Sequence, residues 1–199
     1  MSFSAILIGN ETLTAHCGDM LLSRGHVIAA VVTHSADVQR WATTNGLVVQ
    51  GYGPDLAARL PGADWLLSVA NLTVLGADVL ARAAKGAVNF HDGPLPAHAG
   101  LNAPVWALLA GEVTHGVTWH LIEGGVDAGR VLEERRFDIA EGDTALTLNT
   151  RCFEAGMESF PAVMNQLESG VTARPQAAGP GQMHRGADRP AAFGRIDFS

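Results

Sequence analysis

Between residues 4 and 91 the chain repeats one alternation: a short apolar run, a stretch with apolar residues at helical spacing, then another apolar run. Residues 4–9 (SAILIG) offer no polar face to water, as in a strand buried on both sides. Leu13, Cys17, Met20, Leu21 and Leu22 follow at helical spacing, and Gly25 closes that helix. Residues 27–33 (VIAAVVT) predict a second strand. Ser35 is placed to cap a helix running to the Asn45-Gly46 turn signal, and residues 47–49 predict a short strand. Pro54 opens a short helix, residues 65–69 predict the next strand, residues 77–84 a helix and residues 86–91 (GAVNFH) another strand. Apolar strands separated by helices fold as a doubly wound, mostly parallel α/β sheet. Such sheets bind ligands beyond the carboxyl ends of their strands.

After residue 91 the rhythm changes. Residues 92–100 (DGPLPAHAG) carry two prolines and two glycines in nine positions, which predicts a stiff loop of the kind that often serves function. A helix is expected over residues 102–110. Residues 116–122 and 130–139 alternate and read as neighbouring strands, an antiparallel addition at one sheet edge. Between them Gly124-Gly125 begins a turn that carries Asp127. Residues 143–168 predict a long helix, capped by Asp143 or Thr144, kinked or divided at Pro161, and stopped by Gly170. From residue 171 Pro, Gly, Arg and Gln dominate, so residues 1–170 are expected as the catalytic domain and 171–199 as an extended C-terminal tail or linker, leading to a further domain in the native protein.

The formal net charge is −7 and no Lys/Arg run occurs, which argues against a nucleic-acid partner bound through a broad basic face. Cys17 and Cys152 lie far apart in apolar surroundings and form neither a zinc pattern nor a disulfide framework. The N-terminus lacks a basic region followed by an apolar one, and no window approaches the apolar length of a membrane span. A cytoplasmic protein without a membrane partner is expected.

Asn10 follows the first strand, where a dinucleotide loop would lie, but G-x-G-x-x-G is absent and NAD binding is disfavoured. Asn89 and His91 fall on one face of their predicted strand, with Phe90 opposite. An Asn amide donates to a developing oxyanion, a His moves a proton near neutral pH, and a carboxylate such as Asp127 orients that His. On spacing alone, a polar strand end that merely bonds its own loop is an equal reading. His98, His115 and His120, with His91 and Asp92, match no metal-ligand spacing, so no metal is expected. His16, His26, His34 and His184 are expected at the surface or in packing, Trp106 and Trp119 in the core, and residues 133–136 as a solvated edge.

The segment NFHDGPLPAHAGLNAPVWALLAGEVTHGVTWHLIEGGVDAGRVL resembles the folate-dependent formyltransferase family, the N10-formyltetrahydrofolate transferases. Asn-x-His, a Pro-rich loop, Pro-x-x-Trp, Gly-x-Thr-x-His and Asp-x-Gly occur in the family's order and spacing, and the first half is similar to its Rossmann-like start. The resemblance implies an enzyme that transfers a formyl group from N10-formyltetrahydrofolate, as co-substrate, to an amine. It implies Asn89, His91 and Asp127 as the catalytic residues. Folate would lie between Ser68, Ala70, Asn71 and Leu75 on one side and Glu123, Gly124, Gly125, Val126 and Asp127 on the other. Where the family often has His-Pro-Ser-Leu-Leu-Pro, this chain has His91-Asp92-Gly93-Pro94-Leu95-Pro96, a substrate loop that has lost a hydroxyl and gained a carboxylate. That variant is most similar to formylation domains of nonribosomal peptide synthetases and siderophore assembly proteins, which implies an amine acceptor carried on a carrier protein. Two rivals remain at this point: a formyltetrahydrofolate hydrolase, and a folate-binding or docking module without turnover.

Overall fold

The computed structural model describes residues 1–190. Strands β1 (Ser4–Ile8), β2 (Val27–Val32), β3 (Val49–Gln50), β4 (Ala63–Ser68) and β5 (Ala83–His91) pair in parallel, and β7 (Thr114–Leu121) and β8 (Val131–Asp138) extend the sheet in antiparallel steps. The spatial order is β3-β2-β1-β4-β5-β7-β8. This is the expected Rossmann-like sheet with its antiparallel edge.

The apolar runs are buried for the reason they are apolar: each strand faces helices on both sides. In β1, Ala5 and Leu7 enter one core with α1 (Thr12–Ser23) and α6 (Ala145–Ser169), while Ile6 and Ile8 enter the other with α3 (Leu56–Arg59) and α4 (Ala77–Leu80). Phe90 on β5 points into the first core and packs at 5.0 Å between ring centroids on Trp119 of β7. Asn89 and His91 therefore face the other way. The helix α2 (Ala36–Thr44) completes the first layer.

Beyond shifts of a residue or two at strand ends, the elements depart from the sequence expectation at several points. The helix expected over 77–84 stops at Leu80, because residues from Ala83 onward join the ladder beside β4, with Ala83 opposite Ala63. Pro161 does not divide α6, which runs unbroken through it; Thr144 caps it in a reciprocal pair with Thr147. The stiff loop after β5 ends in a short strand, β6 (His98–Gly100), before α5 (Ala103–Leu109). The partner of β6 is β9 (Gln182–His184), so the segment after α6 returns to the body. The apolar pair Ile196 and Phe198 lies outside the described residues.

Candidate active site

The carboxyl ends of β4 and β5, the loop after β7 and the start of α5 enclose a cavity of about 1120 Å³. Three non-glycine residues have left-handed backbone, Ala70 (φ 48°), Asn102 (φ 60°) and Asp127 (φ 51°), and all three line it. L-residues hold that conformation only where surrounding contacts dictate it, and such strain gathers at functional sites.

Asn89 and His91 stand on the cavity side of β5. Ser68 Oγ donates to Asn89 Oδ1 at 2.8 Å, which turns the amide nitrogen toward His120 Nε2 at 3.2 Å. His120 Nδ1 lies 2.8 Å from the Leu121 carbonyl, an acceptor only, so Nδ1 carries a proton. His120 Nε2 then accepts from Asn89 when neutral, and donates to Asp127 Oδ1, 3.3 Å away, when protonated. His91 Nε2 donates to the His98 carbonyl, and its Nδ1 faces Asp127 Oδ2 at 3.6 Å and Asp92 Oδ1 at 3.9 Å. Asp127 Oδ2 also accepts the Gly100 N–H at 2.8 Å.

The expected residues separate into two groups. Ser68, Ala70, Asn71, Leu75, Gly124, Gly125, Val126 and Asp127 line the cavity together with Asn89, His91 and Asp92. Glu123 does not: its carboxylate pairs with Arg130 at 2.7 Å on the surface. Of the loop 92–96 only Asp92 reaches the cavity, while Gly93, Pro94 and Leu95 are buried behind it and Pro96 is partly buried. Thr118 Oγ1 donates to the Gly93 carbonyl at 2.8 Å and accepts from the Leu95 N–H at 3.3 Å, fixing that loop against β7.

A family model described as formyl transferase matches residues 54–164, more than half of the chain. The chain belongs to the formyl transferase family. It is 30% identical over 182 residues to a methionyl-tRNA formyltransferase of Anaeromyxobacter dehalogenans, covering 82% of this chain and 58% of the relative. The chain thus spans a little over half the length of that curated relative. An N-formyltransferase from Helicobacter canadensis, solved with folinic acid and dTDP-3-aminofucose, superposes with a TM-score of 0.82 at 20% identity, over 100% of this chain and 76% of that one. Glycinamide ribonucleotide transformylase 1 from Symbiobacterium toebii gives 0.76 at 23% identity, over 88% and 95%. These likenesses confirm the fold.

Within this formyl transferase cavity the two carboxylates are driven apart. Burial works against the charge of Asp127, but the His120 hydrogen bond, the charge of His91 and the Gly100 N–H together hold its carboxyl below the usual range. Burial pushes Asp92 up, His91 pulls against it, and the nearby Asp127 charge adds to the rise. Behind the loop, His115 donates through Nε2 to the Asp92 carbonyl at 2.9 Å; its burial lowers its pKa from 6.5 to about 4.

His120 and Thr118 both hold site groups in place, although in the sequence they stand out only as parts of Gly-x-Thr-x-His. Their signal was the alternation of β7, which puts them on one face. The His98 carbonyl and Gly100 N–H had no signal, because every residue has these atoms.

Proposed function

We propose that this chain transfers a formyl group from N10-formyltetrahydrofolate to an amine. The observation that carries the reading is the convergence of Asn89, His91 and Asp127 in one strained cavity of a chain that belongs to the formyl transferase family. Support for folate as the donor comes from the Helicobacter canadensis neighbour, solved with folinic acid.

The amine nitrogen attacks the formyl carbon and the carbonyl oxygen becomes an oxyanion. Asn89 Nδ2 has two hydrogens; one faces His120, and the other is free for the oxyanion. A protonated His91 offers the second donor. Each such donor contributes about 2.7–4 kcal/mol in the transition state. Asp127 balances the cationic ring and takes the proton that the attacking amine loses, through water. Collapse of the intermediate breaks the bond from carbon to N10, N10 takes up through water the proton that Asp127 received, and the formyl group remains on the acceptor. Holding both reactants beside fixed donors is the greater part of the catalysis.

For the acceptor we propose an amino acid on a carrier protein. Supporting this, the lining of the cavity includes the apolar Leu101, Val105, Leu146 and Met183 and the cationic Arg185. That lining suits an apolar side chain at the tip of a flexible arm bearing one phosphate. The test is single-turnover transfer from labelled formyl-folate to amino acids free and on a carrier, with amino-sugar nucleotides alongside. A carrier preference of tenfold is expected, about 1.4 kcal/mol. Formylation of free amines alone removes the carrier and keeps the transfer. Release of formate with no formylated amine overturns the transfer and makes the chain a hydrolase.

A further inference from the structure

We propose that the segment after α6 is a strap that holds the walls of the site in register, and that Gln176 and His184 on it are positioning residues for the reaction proposed above, a reading on which this inference rests. The segment lies beyond the residues that the family model matches. Two of its contacts with the body land on backbone that holds His91 or Asp127.

The first contact begins where Arg174 and Val131 exchange backbone hydrogen bonds of 2.7 and 2.8 Å. Two residues later the Gln176 amide donates to the carbonyl of Asp127 at 2.6 Å and to that of Gly129 at 2.9 Å. One side chain thereby spans the turn that carries the left-handed Asp127. A residue in that conformation relaxes unless its neighbours over-determine it, and the Gln176 bonds are two of the constraints.

The second contact is β9. Its three residues pair in parallel with β6, and the His184 carbonyl accepts the Leu101 N–H at 2.9 Å. Gly100, opposite His184, has φ 90°, and a Cβ there would lie 2.1 Å from the His184 carbonyl oxygen, so only glycine lets the strands close. The His184 ring stacks on Trp106 at 4.6 Å and lies 3.1 Å, Nε2 to Nδ1, from His98. His98 Nε2 in turn meets Glu112 at 2.8 Å. With His98 donating to Glu112, its Nδ1 accepts from His184, and this fixes both tautomers. The same β6 residues face the site through their backbones: the His98 carbonyl accepts from His91 and the Gly100 N–H binds Asp127.

The test uses the full chain. Gln176→Met keeps the side-chain length and removes the amide donor; Gln176→Lys restores an N–H donor. His184→Phe keeps the stack on Trp106 and removes the bond to His98. We expect Gln176→Met to lower kcat by about 10²-fold, with KM for formyl-folate unchanged, and Gln176→Lys to recover most of the loss. His184→Phe should lower kcat in the same way. Hydrogen exchange at the Gly100 amide, read by NMR, should accelerate in Gln176→Met whether or not an acceptor is known. A wild-type kcat in Gln176→Met overturns the strap, as does unchanged protection of Gly100. A fall in kcat that Gln176→Lys fails to recover also overturns the positioning role. If the native chain formylates no amine, the transfer reading fails, and Gly100 exchange alone then decides the strap.

Discussion

Oδ2 of Asp127 lies 3.6 Å from Nδ1 of His91, although His91 ends strand β5 and Asp127 sits in the loop after β7. The carboxylate is kept there by the Gly100 N–H and by His120, which also hold it ionised against the cost of burial. Asp127→Asn keeps the shape and removes the charge that balances a cationic His91. Formyl transfer should fall on the order of 10²-fold, with affinity for a folate analogue nearly unchanged in equilibrium titration. Equal losses of rate and affinity would instead make Asp127 a binding residue.

Asn89 and His91 each supply one donor in the proposed transition state. Asn89→Ala and His91→Ala should each cost on the order of 10²–10³ in single-turnover rate. Folate-analogue binding, measured in parallel, should hold. A near-native rate in either variant refutes the assignment.

Gly93 leaves no space for a side chain. A Cβ there would lie 2.7 Å from the Ala103 Cβ and 3.0 Å from both His91 Nε2 and the His98 carbonyl oxygen. Gly93→Ser therefore pushes on the bond that orients His91. Overpacking of this kind costs about 1–3 kcal/mol. Thermal denaturation should show the loss, and formyl transfer should fall more than the lost stability explains.

His115 is fully buried and held neutral, with a pKa lowered from 6.5 to about 4. The unfolded chain protonates it first, so its contribution is complete above pH 6.5 and is lost progressively as pH falls toward 4. The shift corresponds to about 3 kcal/mol across that window. His115→Gln keeps a donor for the Asp92 carbonyl and does not titrate. Its denaturation midpoint should fall less than that of the native chain between pH 6.5 and pH 4; parallel curves would show that His115 does not govern the acid limb.

The apolar runs by themselves marked the first five strands and their parallel sense, but not the order in which they lie in the sheet. A chain segment with no polar face has to be covered on both sides, and only a sheet between helices does that. Period two likewise determined that Asn89 and His91 share a face and Phe90 does not. Local signals also placed the turn at Gly124-Gly125 and narrowed the cap of α6 to Asp143 or Thr144, of which the structure uses Thr144. They misjudged residues 81–84, where helical propensity yields to the ladder beside β4, and a division at Pro161, since α6 runs through it unbroken.

Tertiary structure alone decided how the site is assembled. Asp127 meets His91 because the loop after β7 crosses the end of β5, a contact between segments distant in sequence. His98 and Gly100 act through a carbonyl and an N–H that no residue type announces. Gln176 and His184 sit in a polar, glycine-rich stretch with no periodicity, so nothing local marks them. Their placement depends on where the chain goes after α6, and that is decided by the hydrogen-bonding edges of β6 and β8 left open for it.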